Sequence, residues 1–176
     1  VATGSARRRV QLAQLVPGVV FEELRGNMAT RLGKSDDFDA IVVAAVALER
    51  LGLTARVSEV ISVDAMVPQV GQGALAVECR SEDLATLERL RTIEDPRSRR
   101  ALDAERAFLA ELGGDCSLPV GAYCTIRADG LLRLVGVLSA SVPATGVDPG
   151  SRDPVPVARE DATGHDPAEL GRSVAT

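Results

Sequence analysis

Cys116 lies in Gly113-Gly114-Asp115-Cys116-Ser117-Leu118-Pro119, between a stretch with helical periodicity and an apolar run. Two glycines and a proline predict a loop, and a loop gives a thiol the access that thiolate chemistry requires. Cys79 and Cys124 fall instead in the apolar, strand-like runs 74–79 and 120–124, which suit a small buried hydrophobe. A single loop cysteine is usually incidental, so its meaning depends on the groups that accompany it.

Those groups are arginines at strand-to-helix turns. Thr3-Gly4-Ser5-Ala6-Arg7-Arg8 places a hydroxyl and two guanidinium groups at a predicted helix start, where unpaired N–H groups and the positive end of the dipole favour anions. Leu24-Arg25-Gly26-Asn27-Met28-Ala29-Thr30-Arg31 is a second turn of the same kind. In a parallel sheet such turns gather at the carboxyl edge, so Arg7, Arg8, Arg25 and Arg31 are expected around one cleft, with Arg50 at the end of the next helix a further candidate. Residues 1–35 hold six basic side chains against Glu22 and Glu23, although the whole chain carries a net charge of −5. A local basic cluster on an acidic chain points to a specific anionic ligand, not to nucleic acid. Lys34 is the sole lysine, and guanidinium is the group that forks onto carboxylate or phosphate.

Val70-Gly71-Gln72-Gly73-Ala74 permits a tight turn or the close approach of a ligand, but it lacks the spacing of a dinucleotide fingerprint. Taken alone it reads as a connecting turn. No metal is expected. The single histidine, His165, stands in a loop between Asp161 and Asp166, and the cysteines lack the paired spacing of zinc sites.

The elements that must position these groups follow from periodicity and breakers. Helices are predicted over 6–16, 28–34, 45–53, 81–92 and 97–112, and strands over 19–24, 38–44, 61–67 and 75–79. Their alternation predicts an α/β fold with a parallel sheet over about 1–92. Beyond 96 the pattern changes to a small α+β unit. Strands at 120–127 and 131–138 are joined by the hairpin signal Ala128-Asp129-Gly130, a long loop follows over 141–156, and a helix begins near Asp166. Aromatic residues make up 2% of the chain, so the core must come from Val, Leu, Ala and Ile. No apolar run reaches the about 20 residues of a membrane span, and no membrane partner is expected. Three widely spaced cysteines argue against a disulfide framework and for a reducing, cytoplasmic setting.

Five motifs in this order resemble the porphobilinogen deaminase (hydroxymethylbilane synthase) family. They are the Thr3–Arg8 turn; Leu24-Arg25-Gly26-Asn27 with Thr30-Arg31-Leu32; Val70-Gly71-Gln72-Gly73-Ala74 with Glu78-Cys79-Arg80; Ala104-Glu105-Arg106; and Gly113 to Gly121 around Cys116. The resemblance runs from Val1 to about Leu138. It implies a transferase of tetrapyrrole biosynthesis that joins four porphobilinogen units into hydroxymethylbilane with release of ammonia. It also implies a dipyrromethane cofactor, thioether-linked to Cys116. By the family's pattern Ser5, Arg7, Arg8 and Arg31, with Thr3 beside them, hold the cofactor's carboxylates. Arg25, Arg50 and Gln72 serve porphobilinogen or the growing oligopyrrole.

The implied architecture is a partial, periplasmic-binding-protein-like second α/β domain over 1–63, a segment returning to the first domain over 64–94, and an α+β third domain over 95–176. The protein is expected to be a monomer. The family's catalytic aspartate and a cofactor-binding lysine belong upstream of Val1, so the chain reads as a fragment, inactive by itself and without a catalytic residue of its own. The competing reading is a non-enzymatic anion-binding module of periplasmic-binding-protein type, which explains the arginine turns but leaves Cys116 unexplained.

Overall fold

A computed structural model describes residues 1–114, 118–140, 142 and 156–176. The helices are α1 (Ala6–Leu15), α2 (Met28–Gly33), α3 (Ala45–Arg50), α4 (Leu84–Arg91), α5 (Pro96–Glu111) and α6 (Pro167–Ala175); the strands are β1 (Val120–Ile126), β2 (Leu132–Ser139) and β3 (Val157–Gly164). The fold is mixed α/β, and its one regular sheet among the described residues is small and antiparallel, in the order β1-β2-β3.

The chain forms two compact units. The first comprises Val1–Pro68 and the described parts of Asp115–Gly121 and Val137–Arg159. At its centre Ala2 bridges Glu22 on one side and Ile41 on the other, both in parallel. The ladder is short but complete: Ala2 N–H donates to Ala40 O, Thr3 N–H to Glu22 O, and Val42 N–H to Ala2 O at 2.8–3.1 Å. Leu12, Phe21 and Met66 form the core, with Val1, Ala13, Val19, Val42 and Ile61 packed around them. The expected strands 19–24 and 38–44 therefore contribute single parallel bridges in place of long ladders.

The second unit comprises Gln69–Gly114, Ala122–Gly136 and Glu160–Thr176. Asp95 caps α5 by accepting from Ser98 N–H at 2.7 Å, and Asp166 caps α6 by accepting from Glu169 N–H at 2.7 Å. A proline follows each cap, where its missing N–H costs nothing. Ala104 and Phe108 of α5, Leu170 and Val174 of α6, and Leu132 and Leu134 of β2 are buried.

Two expectations change. The runs 61–67 and 75–79 do not form strands. Leu75 is 79% exposed and Val77 60% exposed. Their alternation is that of a strand surface, but a strand also needs a neighbour for its N–H and C=O groups, and none pairs with this run among the described residues. The expected loop over 141–156 lies mostly outside the described residues, and between it and the helix at Asp166 stands a strand that was not expected, β3, which begins at Val157. Arg159, Glu160 and Asp161 leave no apolar period there to signal a strand. β3 is an edge strand, where charge is normal, and Arg133 of β2 forks onto Asp161.

Candidate functional site

The first unit brings together the turn at Thr3 and the start of α1. Thr3 is buried, and its hydroxyl accepts from Ser5 N–H at 3.3 Å. Ser5 is the N-cap and accepts from Arg8 N–H at 3.4 Å. This geometry directs the next two side chains inward. Arg7 is 4% exposed and donates through Nη1 to Val67 O at 2.5 Å; Arg8 is 9% exposed and donates through Nη1 to Val42 O at 2.9 Å. On α2, Asn27 caps the helix by accepting from Thr30 N–H at 2.9 Å, and Arg31 donates through Nε to Gly26 O at 2.8 Å.

Three arginines crowd this site. Burial, then the charge of Arg8, pulls the Arg7 guanidinium down to about 10. Burial, then the charge of Arg31, lowers Arg8 from its ordinary value. Both remain cationic at neutral pH. Carboxylates placed among them would relieve the repulsion and replace lost hydration, so the arrangement suits an anion with several acidic arms.

Arg25 has a different character: its side chain is 85% exposed and pairs with Glu23 at 3.0 Å. Arg50 is exposed at the end of α3. A cavity of about 400 Å³ in the same unit is lined by Glu22, Asp36, Asp37 and Asp39, with Val1, Val20 and Phe38, a charge unsuited to carboxylates.

Gln11 was not among the residues expected at the site. Its Nε2 donates to Val67 O at 3.0 Å and its Oε1 accepts from Val67 N–H at 2.8 Å, so it holds the segment that receives Arg7. Its position one turn beyond Arg7 on the buried face of α1 was the available signal. Gly121 was present only within the last motif. A Cβ there would lie 2.7 Å from Pro68 O, 2.9 Å from Arg7 Cδ and 3.0 Å from Val67 O, so only glycine lets the start of β1 close over Arg7.

Gln72 belongs to the second unit and is half-buried. Gly71, with φ of +68°, begins its turn, which is closed by Gln72 N–H donating to Gln69 O at 2.9 Å and Ala74 N–H donating to Gly71 O at 3.0 Å. Cys116 lies outside the described residues. Of the other cysteines, Cys79 is half-buried and Cys124 is buried. Burial, then the charge of Glu105, pushes the Cys124 thiol up to about 12. Alkylation of the native protein with iodoacetamide at about pH 8 should therefore leave Cys124 unmodified, as peptide mass spectrometry would read; modification there before unfolding would contradict this placement. His165 is exposed, and its carbonyl accepts from Arg100 Nη2 at 3.1 Å. Among the described residues no group of three or more His, Cys, Asp or Glu is placed to hold a metal ion. No described helix is long and apolar enough to cross a membrane.

Residues 1–88 match the family model described as porphobilinogen deaminase, dipyromethane cofactor binding domain, and residues 100–142 match porphobilinogen deaminase, C-terminal domain. Porphobilinogen deaminase of Brevibacillus brevis is 40% identical over 177 residues, covering 99% of this chain and 54% of that protein. The protein of the same name from Exiguobacterium sibiricum is 42% identical, covering 100% of this chain and 54% of its own length. The one from Roseiflexus sp. is 46% identical over 142 residues, covering 80% and 46%. The chain thus spans about half the length of the curated relatives it matches.

Proposed function

The chain belongs to the porphobilinogen deaminase family, and on that premise we propose that it is part of a transferase that joins four porphobilinogen units into linear hydroxymethylbilane. Ammonia leaves as each unit is added, and the product grows on a dipyrromethane primer tethered through a thioether to Cys116. Arg7, Arg8 and Arg31, with Ser5 and Thr3, hold the primer's acetate and propionate arms. Arg25, Arg50 and Gln72 meet porphobilinogen and the elongating chain.

The observation that carries this reading is the crowding of Arg7, Arg8 and Arg31, each near enough to its neighbour to lower the next guanidinium or be lowered by it. Arg7 and Arg8 are buried at the turn and Arg31 acts on Arg8 from α2, so their like charges favour an anion, and an oligopyrrole supplies two carboxylates per ring. Burial also removes competing water, which makes each charge-assisted hydrogen bond stronger than it would be at the surface. In this reading residues 1–63 form part of a second α/β domain of periplasmic-binding-protein type, a view supported by the parallel pairing of Ala2 with Glu22 and Ile41. Residues 64–94 return to a first domain, and 95–176 make the third. The enzyme acts in the cytoplasm as a monomer.

Turnover by the full-length protein tests the proposal. Porphobilinogen should disappear with one ammonia released for each unit consumed, and hydroxymethylbilane should accumulate. Porphobilinogen left unchanged by a correctly folded full-length protein would contradict it.

A further inference from the structure

The Ala104-Glu105-Arg106 motif has no part in the function so far. Glu105 is 7% exposed on α5, and both of its carboxylate oxygens are committed to backbone donors distant in sequence. Oε2 accepts from Gly71 N–H at 2.8 Å, and Oε1 accepts from Cys124 N–H at 2.9 Å. One carboxylate therefore ties a turn and a strand to the same point on a helix. Burial raises its pKa above the ordinary carboxyl value, and the two hydrogen bonds work against that rise, so the clamp sits in a poorly solvated place.

Gly71 is the residue before Gln72, and it is held closely. Its φ of +68° is in the region that favours glycine, and a Cβ there would meet Leu102 Cδ1 of α5 at 3.1 Å. The turn has its own closing bonds, but these set only its internal shape. The bond from Gly71 N–H to Glu105 ties the turn to the helix.

We propose that Glu105 is a positioning residue for Gln72: by clamping the preceding N–H to α5, it fixes the direction in which the Gln72 side chain is presented to the pyrrole ligand. This rests on the reading that Gln72 serves porphobilinogen. Glutamine at position 105 keeps the volume but offers one acceptor oxygen, and it turns an amide N–H₂ toward the second backbone donor. One of the two clamps must then open.

The experiment is a double-mutant cycle in the full-length protein with Glu105→Gln and Gln72→Ala, reading KM and kcat for porphobilinogen and hydrogen exchange at the Gly71 amide. Glu105→Gln should raise KM roughly tenfold with a smaller effect on kcat, and speed exchange at Gly71. In the Gln72→Ala background the same change should alter KM by less than about twofold, because the side chain it orients is gone. If Gln72→Ala raises KM but Glu105→Gln does not, or if the two effects multiply independently, the positioning role is overturned while the substrate reading stands. If Gln72→Ala leaves KM and kcat unchanged, the substrate role of Gln72 fails, and the positioning role falls with it. Should Glu105→Gln not fold, Glu105→Asp keeps the charge on a shorter arm and is judged by the same readouts, with the same expected direction.

Discussion

Cys116→Ser is expected to yield a folded protein that carries no covalent oligopyrrole and makes no hydroxymethylbilane. A serine hydroxyl is a far weaker nucleophile than a thiolate at neutral pH, so the substitution removes the bond-forming group while preserving its size. Neither remaining cysteine is suited to replace it. Cys124 is buried in β1 with its thiol pushed up to about 12, so its thiolate population at neutral pH is negligible. Cys79 is half-buried at the end of the run 74–79, which lacks the Gly-Gly and Pro that flank Cys116 in the sequence. Without the tether, the arginine site has only a diffusible ligand to hold, and a growing chain could leave after any addition. Intact mass and bilane formation, read on the same preparation, check the outcome. A serine variant that still polymerises porphobilinogen would exclude the thioether.

Gly121→Ala is the second large effect. The added carbon would sit 2.7 Å from Pro68 O and 3.0 Å from Val67 O, both backbone atoms that cannot swing aside. Its third neighbour, Arg7 Cδ at 2.9 Å, belongs to a side chain already engaged with Val67 O. Relief therefore requires either a shift of the strand or expulsion of Arg7 from its buried seat. Overpacking of this kind costs about 1–3 kcal/mol or more. In a chain of this size that lowers Tm by roughly 2–4 °C per kcal/mol. Retention of the oligopyrrole should fall as well, since Arg7 is one of its expected partners. Thermal denaturation together with the bound fraction by intact mass reads both effects. An alanine variant with unchanged Tm and full loading would refute the close approach of β1 to Arg7.

Much of the local structure was legible because its causes are local. Ser5, Asp95-Pro96 and Asp166-Pro167 announce helix starts, and Asp129-Gly130 announces the β1–β2 hairpin. These signals act within four residues and do not depend on the rest of the fold. β3 was hidden because Arg159, Glu160 and Asp161 make an edge strand look like solvated loop, and pairing with β2 overrides that composition. The runs 61–67 and 75–79 failed in the opposite direction. Leu75 and Val77 carry the period of a strand, yet period alone supplies no partner.

The candidate site divides along the same line. Arginines at two helix-starting turns marked a candidate anion site, and the structure sets Arg8 within electrostatic reach of both Arg7 and Arg31. That Arg7 and Arg8 are buried and each spend a donor on a backbone carbonyl was not legible, because Val67 and Val42 are 60 and 34 residues away. The same distance hid Gln11, Gly121 and the grip of Glu105 on Gly71. Each is a contact between segments, and a single sequence carries no mark of which segments meet.

The account stands on the attachment of an oligopyrrole at Cys116. Peptide mass spectrometry of the full-length protein, isolated with its cofactor and digested without reduction, measures it directly. The account predicts a dipyrromethane mass on the peptide containing Gly113-Gly114-Asp115-Cys116, with Cys79 and Cys124 unmodified. An unmodified Cys116, or the same mass on either of the other cysteines, would contradict it.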